Sequence, residues 1–330
     1  MTYPSPSSSS LISASGRTPR VGAVRPILVA LAFACAALFA LLPSVDSALA
    51  EAEANSSRPS LTKTSGIRGA LPAPEDVLFA YNDRDLGGSG LRRIHLELRN
   101  DGVVTRQFRT IHGWQADDDR VRSLVLLEQP HGLLGTCYLL AEGEQYTGGI
   151  EIFLQLATAG PRTLEVRPGH FDEGLLGSDF GYSDLLWQIP TKGRSLDLMG
   201  SSHLEGQKVW VVDVKPATEE ARLSTNWDRV RYYIGQDPML LVGADFFSGP
   251  TRLPSKELRI DGWRQVDGVW TPSEMVMSVD RRRQSVLTLD AAYFRLDPFD
   301  TELFTPNSLT ELARQLREGE TPSFLEEYAP

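Results

Sequence analysis

Cysteine is nearly missing from this chain. Of 330 residues only Cys35 and Cys137 carry a thiol, and Cys35 falls in a stretch that reads as a removable leader. Cys137 then stands alone, so no internal disulfide is available and stability must come from an apolar core. Between Thr136 and Tyr138 in an apolar strand, Cys137 reads as packing rather than chemistry. Histidine is scarce too, and His95, His112, His131, His170 and His203 fit no metal-ligand spacing such as HExxH. Asp117-Asp118-Asp119 lacks the glycine and distal glutamate of a calcium loop and reads as a solvated turn. No motif calls for a cofactor, and none is expected. Positive charge is in deficit: the net charge of −10 argues against a general nucleic-acid binder. There is no fixed repeat and no alternation of strands with helices of the doubly wound type.

Long hydrophobic runs are absent apart from Ile27 to Leu42, which is short of the roughly 20 residues a membrane span needs. Arg17, Arg20 and Arg25 precede it, Pro43 follows it, and Ala48-Leu49-Ala50 offers small residues for cleavage. Residues 1–50 therefore read as an export signal, the alternative being a retained anchor. Ala32-Phe33-Ala34 is a poor lipidation box for Cys35 and lies inside the apolar core of the run. Removing the signal leaves the remainder more acidic still. Residues 51–73 are polar and patternless, a linker. A single domain is expected over 74–318, with 319–330 as a tail.

Pro74-Glu75-Asp76 opens a short helix through Ala80, with acids at its positive end. The period then changes to two. Ile94, Leu96 and Leu98 alternate with His95, Glu97 and Arg99, Asn100-Asp101-Gly102 supplies a hairpin turn, and Val104 to Phe108 begins the return. Further strands are expected at 124–127, 150–156, 164–166, 209–214, 230–234 and 239–242. A second hairpin joins 258–266 to 269–279 through Asp267-Gly268, and 286–296 closes the set after Arg281-Arg282-Arg283. A last helix carries Leu309, Leu312, Ala313 and Leu316 on one face, with Ser308 and Glu311 as its expected capping box. About ten strands and few helices predict a mainly β protein: a strongly curved antiparallel sheet or half-open barrel, with short helices covering the concave face.

The stretch from Val166 to Leu185 interrupts this pattern. Gly169, Gly174, Gly177 and Gly181 give it conformational freedom, while Phe171, Leu175, Leu176, Phe180, Tyr182 and Leu185 supply apolar mass. It reads as a glycine-hinged crossing segment that plugs or edges the hollow of the sheet. Asp179-Phe180-Gly181 spells the kinase magnesium tripeptide but lacks a phosphate loop and an HRD loop, and Ser178 does not sit in a GxSxG elbow. Arg281-Arg282-Arg283 reads as a solvated connection, or in a sharper reading as a rim for anionic headgroups or an acidic partner. Met275, Met277 and the tryptophans suit an adaptable apolar lining and suit core packing equally.

The P-x-x-x-x-G-T-x-x-L element from Pro130 to Leu139 and the G-S-D-F-x-Y-x-D-L segment from Gly177 to Leu185 carry a resemblance. So do the Trp263–Glu274 hairpin and Leu303-Phe304-Thr305 before Leu309. In this order the chain resembles the outer-membrane lipoprotein-sorting proteins, periplasmic carriers with a LolA-like fold, over about residues 75–315. Cys137 and the turn from Ala157 to Pro161 depart from the pattern, which bears on ligand identity more than on fold. The resemblance implies a periplasmic, non-enzymatic carrier, a monomer, that holds the acyl chains of a lipid or lipoprotein in an apolar cavity. It also implies an inner-membrane exporter of the resistance-nodulation-division type as a neighbour. Leu96, Phe108, Leu126, Phe153, Trp210, Trp263, Met275 and Met277 are the expected cavity residues, and Phe171, Leu175, Leu176, Phe180 and Tyr182 the expected plug residues. An envelope sensor or scaffold that binds a protein segment with the same fold, and an exported hydrolase, are the alternatives.

Overall fold

The computed structural model describes residues 71–328 except 118–119, 143–149, 159–161 and 280–281. The expected signal (1–50) and all but the end of the linker lie outside the described residues, as do Asp118, Asp119 and Arg281. Helix α1 (Pro74–Asn82) carries Pro in its first turn with Glu75 and Asp76 beside it. Six strands then form a meander: β1 (Ser89–Asn100), β2 (Val103–Ala116), β3 (Val121–Gln129), β4 (Cys137–Glu142), β5 (Ile150–Gln155) and β6 (Thr163–Glu165). The chain crosses over, and a second meander returns through β7 (Arg194–Leu204), β8 (Gln207–Pro216), β9 (Arg229–Gly235), β10 (Leu241–Phe247), β11 (Lys256–Val266), β12 (Val269–Ser278) and β13 (Arg283–Phe294). Helix α2 (Glu219–Leu223) sits between β8 and β9, and helix α3 (Pro306–Glu318) follows the last strand.

All thirteen strands join one antiparallel sheet in the order β6-β5-β4-β3-β2-β1-β13-β12-β11-β10-β9-β8-β7. The sheet is not closed, because β6 and β7 remain its two edges. It is strongly curled all the same. Phe171 packs with Ile152 of β5, while its neighbour Asp172 accepts hydrogen bonds from Thr225 Oγ1 (3.2 Å) and Asn226 N (2.6 Å), between β8 and β9. On a flat sheet β5 and β9 would stand roughly 40 Å apart at ~4.8 Å per strand. Two consecutive residues bridge them only because the sheet bends into a half-open barrel.

Alternation sorts the side chains between two faces. On the inner face Leu96, Phe108, Leu127, Val212, Ile234, Ala244, Leu258, Met277 and Leu287 form one core with Val77, Leu78 and Tyr81 of α1. On the outer face Leu91, Ile111, Leu124, Leu126, Cys137 and Leu139 pack beneath Leu309, Leu312 and Ala313 of α3. The last helix therefore covers the outer face near β2–β4, and α1 with the crossing segment covers the inner one. Farther along the outer face, Arg229 and Arg231 cover Asp213 at 2.9 and 2.7 Å, so no helix is needed there.

The structure has thirteen strands where the spacing named eleven spans, and β4 and β7 are the two without one. Strand β4 gave no alternating signal because Cys137 and Leu139 are buried under α3 while Tyr138 and Leu140 are buried on the inner face. Strand β7 was hidden by Gly200-Ser201-Ser202, which the edge strand accommodates through a bulge between Leu198 and Gly200. The cap of α3 also differs: Thr305 Oγ1, not Ser308, accepts from a first-turn amide, that of Ser308 (3.4 Å). Ser308 instead donates its hydroxyl to the Leu303 and Thr305 carbonyls.

Gly135, in the Pro130–Leu139 element, lets α3 come this close. Its φ is +89°, and an added Cβ would stand 2.7 Å from the Ala313 carbonyl oxygen. Gly135→Ala is expected to cost about 1–3 kcal/mol through strain and overpacking. Gly132→Ala, where a Cβ meets nothing within 4 Å, should stay within about 0.5 kcal/mol. Urea unfolding of the two variants checks the contrast.

Candidate functional site

The crossing segment runs from β6 to β7, and its backbone must be satisfied while it lies on apolar side chains. Local turns do part of this. Leu175 N donates to Phe180 O (2.7 Å) and Gly174 bridges Gly181, closing a tight loop. Any Cβ on Gly174 would lie 2.1 Å from Ser178 O, which accounts for glycine there. Ser178 Oγ accepts from Phe180 N (3.2 Å), so this hydroxyl holds the loop together. Phe180 is fully buried in the inner core, Phe171 packs with Ile152 and Val166, and Leu175 packs with Val125, Tyr138 and Leu140. Full burial of each such side chain contributes about 1.5–3 kcal/mol.

Carboxylates tie this segment to the sheet at separate points. Asp172 reaches the β8–β9 connection, as described, and accepts from Ser183 Oγ (2.7 Å). Asp179 accepts from Ser285 Oγ (2.9 Å) and Arg283 Nε (2.7 Å) on β13. Asp184 accepts from Gly181 N (2.7 Å) and from Lys256 Nζ on β11 (2.5 Å). The Asp184 and Lys256 side chains are only 7% and 5% exposed, whereas Arg283 is 59% exposed. Breaking the first pair would leave a buried charge, at about 3–5 kcal/mol; the second is worth about 0–1 kcal/mol. The segment is thus fixed mainly by apolar anchors and the Asp184–Lys256 pair. Burial holds the Asp184 carboxyl above its ordinary range in spite of Lys256 and the Gly181 amide.

Beyond Leu185 the segment is clamped again. Glu142 of β4 accepts from Trp187 N (2.8 Å) and Gln188 N (3.1 Å). Trp187 Nε1 donates to Ser123 Oγ (3.1 Å), and Arg84 Nη2 donates to Trp187 O (2.7 Å). Asn82 at the end of α1 exchanges two hydrogen bonds with the Ile189 backbone (2.9 and 2.8 Å), which joins helix and segment into one roof.

Two hollows of about 110 Å³ each lie under this roof. Trp227, Val230, Tyr232 and Phe246 line one together with the polar Asp172, Gln188, Arg194 and Thr225, and Ile94, Ile260, Trp263, Met275 and Leu287 line the other. Tyr81, Asp184, Leu186, Leu241 and Leu258 line both and form the wall between them.

The expected cavity residues separate accordingly. Trp263 and Met275 line the second hollow. Leu96, Phe108 and Met277 are buried in the inner core, with Trp210 packed against it. Leu126 and Phe153 belong to the outer cluster beneath α3, on the far side of the sheet from either hollow. Phe171, Leu175 and Phe180 anchor the segment, and Leu176 and Tyr182 are half-buried beside it. Arg283 of the basic triplet holds Asp179, and Arg282 lies 3.7 Å from Asp101. Sequence reasoning missed Arg84, Arg92, Glu142, Trp187 and Lys256. Parity would have found two of them, since Arg92 shares a face with Ile94 and Leu96, and Lys256 with Leu258 and Ile260.

Cys137 is buried, with its thiol pushed up to about 12 by burial. No group of histidine, cysteine and acidic residues among those described is placed to hold a metal. The fold is an open, curled antiparallel sheet whose concave face is roofed by α1 and the crossing segment. The chain belongs to the family whose model is described as "Uncharacterized protein" and matches residues 119–311, more than half its length. Three solved structures share the fold. An outer membrane lipoprotein-sorting protein domain from Vibrio parahaemolyticus is 17% identical, with a TM-score of 0.62 over 72% of this chain and 100% of its own. A DUF1329 family protein from Desulfovibrio piger is also 17% identical, at 0.63 over 72% and 97%. A LolA superfamily protein from Nitrosomonas europaea is 13% identical, at 0.54 over 71% and 98%. No curated protein matches the sequence.

Glu142 makes the clamp sensitive to pH. Burial raises its carboxyl from an ordinary 4.5 to about 7, against the Trp187 and Gln188 amides and Arg84, which lower it. The folded protein therefore holds this proton more tightly than the unfolded chain. The contribution is most favourable below the ordinary value and is lost as pH rises through about 7, by an amount on the order of 3 kcal/mol. Wild type minus Glu142→Gln stability, measured by urea unfolding between pH 4.5 and 8, should fall with rising pH; a flat difference would contradict the assignment.

Proposed function

We propose that this protein is a non-enzymatic carrier of the cell envelope. It holds the acyl chains of a lipid or lipoprotein under the roof of α1 and the crossing segment and moves them toward the outer membrane. The observation that carries this reading is a pair of hollows, the second lined mostly by apolar side chains, divided by residues that include Tyr81 and Leu186 of the roof itself. At about 110 Å³ each they are smaller than the ~300–1,000 Å³ of most ligand pockets. Displacing Leu186 and Tyr81 would merge them. A sixteen-carbon tail in water carries on the order of 10 kcal/mol of unfavourable hydration at ~0.8 kcal/mol per methylene. A carrier must hide that surface and later release it, and a latched roof does both by occupying the hollow when empty and shifting when loaded.

The leader at residues 1–50 and the shared fold support an envelope location, the periplasm in this reading. The carrier works as a monomer, and an inner-membrane exporter of the resistance-nodulation-division type is its proposed donor. Native mass spectrometry of protein purified from the envelope should find acyl chains bound. Protein that arrives empty and takes up no added lipid would instead favour a scaffold that binds a protein segment.

The moving roof has its own test. Asp179 and Ser285 contact one another, their oxygens 2.9 Å apart, so Asp179→Cys with Ser285→Cys places a reducible tether between segment and sheet. Lipid uptake by the oxidised variant should be slowed at least about tenfold, ~1.4 kcal/mol in barrier, and restored by reduction. Equal uptake in both redox states would remove the gating role of the segment.

A further inference from the structure

The second hollow is mostly apolar, with Asp184 and Thr288 in its lining and two arginines, Arg84 and Arg92, besides. Arg92 is the inward residue at the start of β1. Its Nε donates to His112 Nδ1 (2.8 Å), and its guanidinium lies 4.4 Å from the centre of the Trp187 ring. Its Nη1 and Nη2 have no hydrogen-bond partner among the described residues. Arg84 is held by the Tyr81 and Trp187 carbonyls (3.0 and 2.7 Å) and stacks on the Tyr81 ring at 4.0 Å. Neither arginine pairs with a carboxylate among the described residues.

Among the described residues the hydrogen bonds of the nearby acids go elsewhere, although Glu142 feels the Arg84 charge. Asp184 is paired with Lys256, and both oxygens of Glu142 accept main-chain amides. His112 adds no positive charge, because burial and Arg92 hold it well below its ordinary range. Burial and the Arg84 charge press the Arg92 guanidinium down to about 9, so it remains charged at neutral pH. Two like charges against tryptophan and aliphatic walls are costly without a counter-ion. Ile260, Trp263, Met275 and Leu287 of the remaining wall offer a hydrocarbon chain an apolar surface.

We propose that Arg84 and Arg92 form a headgroup site for an anionic amphiphile, in which a carboxylate or phosphate monoester meets the paired guanidiniums and its hydrocarbon chain lies along the Trp263–Met275 wall. This rests on the carrier reading and narrows its cargo. With Nε committed to His112, Nη1 and Nη2 of Arg92 are left to donate two hydrogen bonds, which suits such oxyanions. A neutral diacylglyceryl head would offer the Arg92 guanidinium no counter-charge, so the site selects against it.

The test is displacement of a polarity-sensitive fluorescent probe from delipidated full-length exported protein by palmitate, 1-palmitoyl lysophosphatidate, hexadecanol and inorganic phosphate. Palmitate or lysophosphatidate should displace the probe at a concentration at least about tenfold below that of hexadecanol, a difference of ~1.4 kcal/mol. Arg92→Gln should shrink that ratio to about threefold or less, and Arg92→Lys should retain more of it. Equal potency of the anionic and neutral chains on wild type, or an unchanged ratio in Arg92→Gln, would overturn the headgroup site and leave the carrier reading standing. Displacement by inorganic phosphate at the concentration of lysophosphatidate would overturn the amphiphile and leave a free-anion site. Failure of every amphiphile to displace the probe would overturn the carrier reading together with the site. If Arg92→Gln does not fold, the wild-type series and Arg92→Lys decide.

Discussion

A buried crossing of the sheet's inner face is the constraint on which the rest depends. Two meanders that run out to opposite edges must be joined by one chain, and that chain lies over apolar side chains where unpaired amides and carbonyls are costly. The molecule answers with short turns closed on themselves and with carboxylates that accept what the turns leave over. Asp184 and Glu142 take main-chain amides of the crossing, and Asp172 takes one from the β8–β9 connection. Phe171, Leu175 and Phe180 supply the attraction, and the acids fix where it acts.

The same arrangement sets the charge balance of the hollow. Lysine and arginine on the inner face are tolerated where an acid or a carbonyl meets them, as Asp184 meets Lys256 and Trp187 O meets Arg84. Arg92 is the exception, held by an imidazole and an indole face rather than by a carboxylate. That imbalance is local. The outer face over β8 and β9 shows the opposite solution, two arginines on one aspartate. Among the described residues no carboxylate is hydrogen-bonded to the Arg92 guanidinium.

Much of the fold was legible because an antiparallel sheet with one wet face writes its period into the chain. The hairpins at Asp101-Gly102 and Asp267-Gly268 and the alternation of Ile94, Leu96 and Leu98 needed no tertiary information. Strand β4 did, since burial on both faces erases alternation, and so did β7, where a bulge lets Gly200 and two serines enter an edge. The crossing segment was legible as an anomaly, greasy and glycine-rich between strands. Its latches were less so: Asp179 and Asp184 were visible as motif letters, but their partners Ser285, Arg283 and Lys256 lie some seventy to one hundred positions away.

The sequence by itself determined the class of architecture, the place of the crossing and the apolar character of the inner face, because each follows from spacing between near neighbours. Which apolar residues face a hollow, and which lie beneath α3, was decided by tertiary structure. Leu126 and Phe153 are as hydrophobic as Trp263 and Met275, yet strand parity and the placement of the last helix put them on opposite sides of one sheet. The roof latches and the placing of Arg92 beside His112 and Trp187 were decided there too, since such partners meet only once the sheet has curled and brought distant strands within a few ångströms.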